Sequence, residues 1–212
     1  MIFRSVVFDW SGTLCDDLGA VYEASMSVLE ALGRPRMSLQ RYRWEFDLPY
    51  MKFYRRLGVR APQAKIDAHF RLALDEAPRP RLFRGIRPVL ESLGRSRVRM
   101  ALMTTALPDK VAADVDRLRL RQFFVAVRSG VVDKTREFGD FLQETGFDPE
   151  ATLSVGDMTH DIEAGRTAGV HTAAVTWGYQ PRERLERSRP GSIVEKPADI
   201  GGLVLTGPGF QG

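Results

Sequence analysis

Two aspartates four residues apart, Asp157 and Asp161, interrupt SVGDMTHDIEAGRTAGV (residues 154–170) where a buried-strand pattern gives way to a helix. Carboxylates so placed can face a hard cation, which takes oxygen ligands. The same residues also have local uses, Asp161 as a helix N-cap and Asp157 as a turn residue. On spacing alone, both uses stand open. A third aspartate, Asp9, ends the apolar run in VVFDWSGTL, and Thr104 closes MALMT.

The elements that would carry these groups can be read from apolar patterning. Ile2, Phe3 and Val6–Phe8 lack polar alternation, which suits a central parallel strand covered on both faces. Similar runs recur at Val98–Thr104, Phe123–Val127, Thr152–Val155, His171–Thr176 and Ser192–Val194. Helical patterns fall between them at Arg87–Leu93, Pro108–Leu118, Lys134–Thr145 and Asp161–Ala168. Strands alternating with helices predict an α/β fold, a doubly wound parallel sheet with right-handed crossovers. Ligands bind such sheets beyond the carboxyl ends of the strands, where Asp9, Thr104 and Asp157 lie. Residues 16–85 break the alternation with helical stretches at 21–32, 41–46, 49–57 and 63–74, and then the Pro-rich APRPRLFRG (77–85) leads back. The expected organisation is a core of residues 1–15 and 86–212 with a small helical domain, 16–85, inserted after the first strand.

A chain of 212 residues, 43% hydrophobic and 27% charged, has the composition of a globular protein with one core and room for an insert. No uncharged apolar run is long enough to cross a bilayer, and the N-terminal segment lacks a small-residue cleavage site. The expectation is a cytoplasmic protein without a membrane partner. A single cysteine, Cys15, excludes an internal disulfide and a multi-cysteine metal site. The net charge of +4 and pI of about 9.4 help to steer an anion. The basic residues are dispersed among acids, as in RERLER (182–187), so no nucleic-acid partner is expected. Oligomeric state is left open.

DWSGTL (9–14) resembles the first motif of the haloacid dehalogenase (HAD) superfamily of phosphohydrolases, and Gly156-Asp157 through Asp161 resembles its fourth. Thr104 matches the second motif, and Lys134, in VVDKTREFGDFL, is the better match to the third motif's lysine, with Lys110 as its rival. The helical insert is similar to the cap of the phosphoglycolate phosphatase-like branch. The resemblance implies a Mg²⁺-dependent phosphatase for a small phosphorylated metabolite. Asp9 would be the nucleophile, forming an aspartyl-phosphate. Asp9, the carbonyl of Ser11 and Asp157 would hold Mg²⁺, with Asp161 nearby or acting through water. Thr104 and Thr105 would bind phosphate, Lys134 would neutralise charge and orient Asp9, and Gly12 would allow a tight turn beside the phosphate.

Ser11 departs from the family pattern. Most family phosphatases place there an aspartate that protonates the leaving group, and Ser cannot do this at neutral pH. Three readings follow. The first is a phosphohydrolase that is slow, favours good leaving groups, or borrows a proton carrier from Asp16, Asp17 or His160, the last expected as a solvated loop residue. The second is C–P cleavage like that of phosphonoacetaldehyde hydrolases, with Lys52 or Lys65 forming a Schiff base. The third is a decayed phosphate-binding or regulatory protein. On the cap side, Trp44, Phe46, Tyr50, Phe53 and Tyr54 are candidates to line the pocket, and Arg41, Arg43, Arg55 and Arg56 to meet a substrate anion.

Overall fold

The computed structural model describes residues 3–207; Met1, Ile2 and the last five positions of the expected core lie outside that range. Strand β1 (Ser5–Phe8) runs through the middle of a six-stranded parallel sheet. Its neighbours are β4 (Arg99–Met103) and β6 (Thr152–Gly156), with Val7 opposite Ala101 and Ser154. Beyond them lie β5 (Phe124–Arg128) on one side, and β7 (His171–Val175) and β8 (Ser192–Val194) on the other. The absence of polar alternation in β1 now has its reason. Val6 and Phe8 face a cluster with Ile86, Leu90 and Val111, while Val7 faces Phe138, Phe141 and Leu142 on the opposite side.

The first of these faces is covered by α5 (Ile86–Arg95), α6 (Pro108–Arg117) and α10 (Pro197–Thr206), and the second by α7 (Lys134–Thr145) and α8 (Thr159–Thr167). A short helix, α9 (Arg182–Arg187), precedes β8. α7 has the boundaries expected from sequence because both ends carry strong signals. Asp133 accepts the Thr135 N–H at 3.0 Å, and Gly146 ends the helix at φ +63°. α8 begins two residues earlier than expected, since Asp161 reaches back to accept the Met158 N–H at 3.0 Å. α10 was not expected; the glycines of PADIGGLVLT obscure its periodicity.

Four helices fill the insert: α1 (Leu18–Ala31), α2 (Leu39–Glu45), α3 (Tyr50–Arg56) and α4 (Gln63–Glu76). They enclose a second apolar cluster in which Tyr42 stacks on Phe46 with centroids 4.8 Å apart and meets Phe53 edge-on. Two short strands missed by sequence reading, β2 (Cys15–Asp16) and β3 (Arg81–Leu82), pair antiparallel where the chain enters and leaves the insert. Two residues are too few to show a period. Among the described residues no helix is long and apolar enough to cross a membrane.

Candidate active site

Asp9 continues the line of β1, its N–H donating to the Val155 carbonyl at 2.9 Å, and so stands at the sheet's carboxyl edge. The chain then folds on itself: the Trp10 carbonyl accepts the N–H groups of Leu14 and Cys15, at 3.0 and 2.9 Å. Gly12 adopts φ +75° in this turn. Any other residue there would be strained, and its Cβ would lie 2.2 Å from an Asp157 oxygen and 2.4 Å from the Tyr179 ring. The glycine thus lets the Asp9 loop close against Asp157. Trp10 and Cys15 are core residues, and burial raises the Cys15 thiol pKa far above its ordinary value.

Lys134 and Asp161 approach from α7 and α8. Lys134 Nζ donates to Asp9 Oδ1 at 2.5 Å and to Asp161 Oδ1 at 2.6 Å, and all three side chains are buried. Asp161 is the third residue of α8 rather than its N-cap; one of its oxygens accepts the N–H of the cap residue Met158, and the other meets Lys134. Lys110, the rival lysine, pairs with Asp75 of α4 instead. Asp157 accepts the Thr13 hydroxyl at 3.0 Å and the Tyr179 N–H at 2.6 Å. A side chain at Gly178 would collide with Asp157, whose oxygen lies 2.3 Å from the place of a Cβ. Tyr179 was missed by sequence reading. Its signal was the position of WGYQ just past β7, at the same sheet edge as Asp9.

Asp9, Asp157 and Asp161 each offer a carboxylate oxygen within 4.8 Å of the others. Burial pushes Asp9 up to about 6, with Lys134 pulling the other way, and raises Asp157 well above its ordinary value, the Asp9 charge adding to the effect. Burial also works against the charged form of Lys134, but Asp161 and Asp9 outweigh it and hold its pKa above the usual lysine range. Three carboxyl groups around one ammonium leave negative charge uncompensated in a buried site. An all-oxygen donor set with that surplus fits a hard divalent cation.

Ser11 does not stand alone. Its hydroxyl donates to Asp17 Oδ2 at 2.7 Å, and Asp17 Oδ1 also accepts the Gly12 N–H and the Tyr179 hydroxyl, each at 3.2 Å. Burial pushes Asp17 up to about 7 against these hydrogen bonds. Asp16 is exposed. His160 is buried rather than solvated, and its Nε2 lies 3.1 Å from Asp133 Oδ1. Thr104 is buried, its hydroxyl oxygen accepting the Ala106 N–H at 3.2 Å, whereas Thr105 lines the cavity above the sheet edge.

That cavity, of about 660 Å³, runs from Asp9, Ser11, Asp17 and Lys134 along α4 to Ala77–Pro80. Phe46, Tyr50 and Tyr54 line it as expected, while Trp44 and Phe53 do not. None of Arg41, Arg43, Arg55 and Arg56 reaches its wall; Arg43 instead donates to the Tyr179 and Gly178 carbonyls at 2.8 and 2.9 Å. Lys52 and Lys65 are exposed and outside the wall, so the geometry gives no support to a Schiff-base lysine.

Helices over a parallel sheet, with acids and a lysine meeting at its carboxyl edge, define an α/β architecture whose candidate chemistry lies at the ends of the strands. The sequence profile of the family described as "Haloacid dehalogenase-like hydrolase" matches residues 6–175, and the chain belongs to this family. It is 27% identical to a phosphoglycolate phosphatase of Synechococcus elongatus over 201 residues, 93% of this chain and 95% of the relative. With a pyrophosphatase PpaX of Bacillus cereus it shares 31% identity over 116 residues, 52% of this chain and 54% of the relative. A haloacid dehalogenase-like hydrolase from Streptococcus pneumoniae superposes with a TM-score of 0.79 at 22% identity, covering 93% of this chain and 96% of that one. At these identities the solved structures speak for the fold.

Proposed function

We propose that this protein is a metal-dependent phosphatase of small phosphorylated metabolites that works through an aspartyl-phosphate on Asp9. The single observation that carries the reading is the convergence of Asp9, Lys134 and Asp161 at the floor of a cavity roofed by the insert, with Asp157 buried within carboxylate reach of Asp9 and Asp161. The names of the relatives, phosphoglycolate phosphatase and pyrophosphatase, support the substrate class. In this reading residues 16–85 are the cap and the remainder is the catalytic core.

Asp9, Asp157, Asp161 and the Ser11 carbonyl would hold the cation, taken to be Mg²⁺, which when bound supplies charge neutralisation for the transferring phosphoryl group. Lys134 fixes one Asp9 oxygen and leaves the other to form the bond to phosphorus. As that bond forms, the bond from phosphorus to the leaving oxygen breaks, and the leaving oxygen needs a proton. The Ser11–Asp17 pair lines the cavity beside Asp9, and we assign it this task. With Asp17 protonated the shared hydrogen bond would reverse, Asp17 donating to the Ser11 oxygen, which frees the Ser11 hydroxyl to pass its own proton to the departing alkoxide as it takes one from Asp17. In the second half the flow reverses. Water attacks phosphorus, its proton returns through Ser11 to Asp17, the Asp9–phosphorus bond breaks, and phosphate leaves. Thr105, on the cavity wall, would donate to the phosphate, Thr104 would hold that segment by accepting the Ala106 N–H, and the insert would exclude bulk water. A cytoplasmic site of action, suggested by the lone buried thiol of Cys15, belongs to the same proposal.

The test is Mg²⁺-dependent phosphate release from a panel of sugar, nucleotide, glycolate and acyl phosphates, with Asp9→Asn as blank. Release abolished in the blank is the expected result. Silence of the native protein toward every compound, with Mg²⁺ present, would overturn the reading.

A further inference from the structure

The cavity is large for a two-carbon phosphorylated acid. Volumes of 300–1,000 Å³ are typical of sites for drug-sized ligands, and at about 660 Å³ this one extends well past the carboxylate cluster. Its outer part is walled by Tyr50, Tyr54, Ile66, Phe70 and Leu74, a surface suited to an apolar or aromatic body.

Charge along the wall argues about what that body carries. The lining residues include six carboxyl groups, on Asp9, Asp17, Asp67, Asp75, Asp114 and Asp161, against four cations, on Arg71, Arg79, Lys110 and Lys134. Three of the cations are already matched. Lys134 holds Asp9 and Asp161, Lys110 holds Asp75, and Arg71 forks onto Asp109 at 2.6 and 3.2 Å. Arg79 is exposed on the return segment. Among the acids outside the carboxylate cluster, Asp114 has Arg117 and Asp17 has three hydrogen-bond donors.

Asp67 is the exception. It lies part-buried on α4, and one of its oxygens accepts the Tyr50 hydroxyl at 2.5 Å, which in turn accepts from Gln63 at 2.8 Å. Among the described residues no cation pairs with it, and its second oxygen has no donor. A carboxylate beside the rings of Tyr50 and Tyr54, which meet edge to face with centroids 6.3 Å apart, matches the physical demands of an ammonium group. A substrate carboxylate placed there would meet like charge.

Resting on the phosphatase reading, we propose that the Asp67 wall selects phosphate monoesters with an ammonium group on an apolar body larger than two carbons, and disfavours carboxylate-bearing ones such as phosphoglycolate. The deciding experiment compares 4-(aminomethyl)phenylphosphonate with 4-carboxyphenylphosphonate, two non-hydrolysable compounds of one size, by calorimetric titration in Mg²⁺. The amine should bind at least about tenfold tighter, the scale of one charge-assisted hydrogen bond. Asp67→Asn should bring the two within about twofold, and raising the salt concentration should narrow the gap in the native protein. Equal binding, tighter binding of the carboxylate, a preference untouched by both Asp67→Asn and salt, or no binding of either compound would each overturn the proposal. Turnover of the matching phosphates is measured in parallel. Loss of Asp9-dependent turnover with the binding preference intact would strike the phosphatase reading alone.

Discussion

The Ser11 hydroxyl donates to Asp17 across 2.7 Å, so the serine two residues after Asp9 is joined directly to a carboxyl six residues downstream. The predicted consequence is a coupled pair of substitutions. Ser11→Asp alone sets two carboxyls in hydrogen-bond contact in a part-buried site, where one stays protonated and each disturbs the other. Ser11→Asp combined with Asp17→Ser exchanges the two groups and restores a single acid. Turnover should fall in Ser11→Asp and in Asp17→Ser, the latter by about 10²- to 10⁴-fold, and recover in the double variant. A double variant no better than the worse single one would separate Asp17 from proton transfer.

Lys134 is the ammonium among three buried carboxyl groups. Lys134→Met removes it and leaves their charge uncompensated, at a cost of about 3 kcal/mol or more. A divalent cation held by the same carboxylates should recover part of that loss. Melting temperature in a chelator and in Mg²⁺ gives the check: the variant's metal-dependent rise should exceed that of the native protein.

A pH dependence follows from Asp133. Hydrogen bonds from Thr135 and the neighbouring His160 hold its carboxyl at about 2, against the ordinary value of about 3.9. A native pKa below the unfolded one stabilises the fold above pH ~3.9 and loses that effect as pH falls toward 2. Asp133→Ala should therefore cost about 1 kcal/mol near neutrality, as the loss of an N-cap does. Thermal unfolding between pH 2 and 7 should show the two proteins converging on the acid side.

Arg43 links the insert to the loop that holds Asp157, donating to the carbonyls of Gly178 and Tyr179. Without it the loop whose Tyr179 N–H donates to Asp157 loses two of the hydrogen bonds that fix it. Arg43→Ala should weaken Mg²⁺ binding by about tenfold, the scale seen when a partner of a metal ligand is removed. Calorimetric titration of Mg²⁺ measures this, and unchanged affinity would show that the loop holds its shape alone.

How far the sequence disclosed this protein depends on how local each signal is. Strands such as Thr152–Gly156 and the helix Lys134–Thr145 announce themselves through runs of apolar residues and their own caps. Asp9, Asp157 and Asp161 fall at strand and helix ends, which apolar patterning locates well. Tyr179 serves Asp157 through a backbone N–H, which any residue type could supply, and its hydroxyl meets Asp17 from 162 residues away, a pairing that no local pattern reveals. His160 looked solvated because nothing within its segment reveals Asp133, 27 residues away, as its partner. Arg41, Arg43, Arg55 and Arg56 are separated from Arg71, which does reach the cavity, by helix orientation, and Arg79 reaches it from the return segment; residue spacing encodes neither.

The pairing of Cys15 with Leu82 and of Asp16 with Arg81 brings the two ends of the insert side by side. A loop clipped at its base can lengthen or shorten with little effect on the sheet, since each doubling of a flexible loop costs only about 0.6 kcal/mol. The roof is thus a cassette on a two-stranded clip. Another helical segment grafted between the same anchor residues would re-tailor its selectivity, provided that it keeps Asp17 and the Arg43 contact to the Gly178–Tyr179 loop.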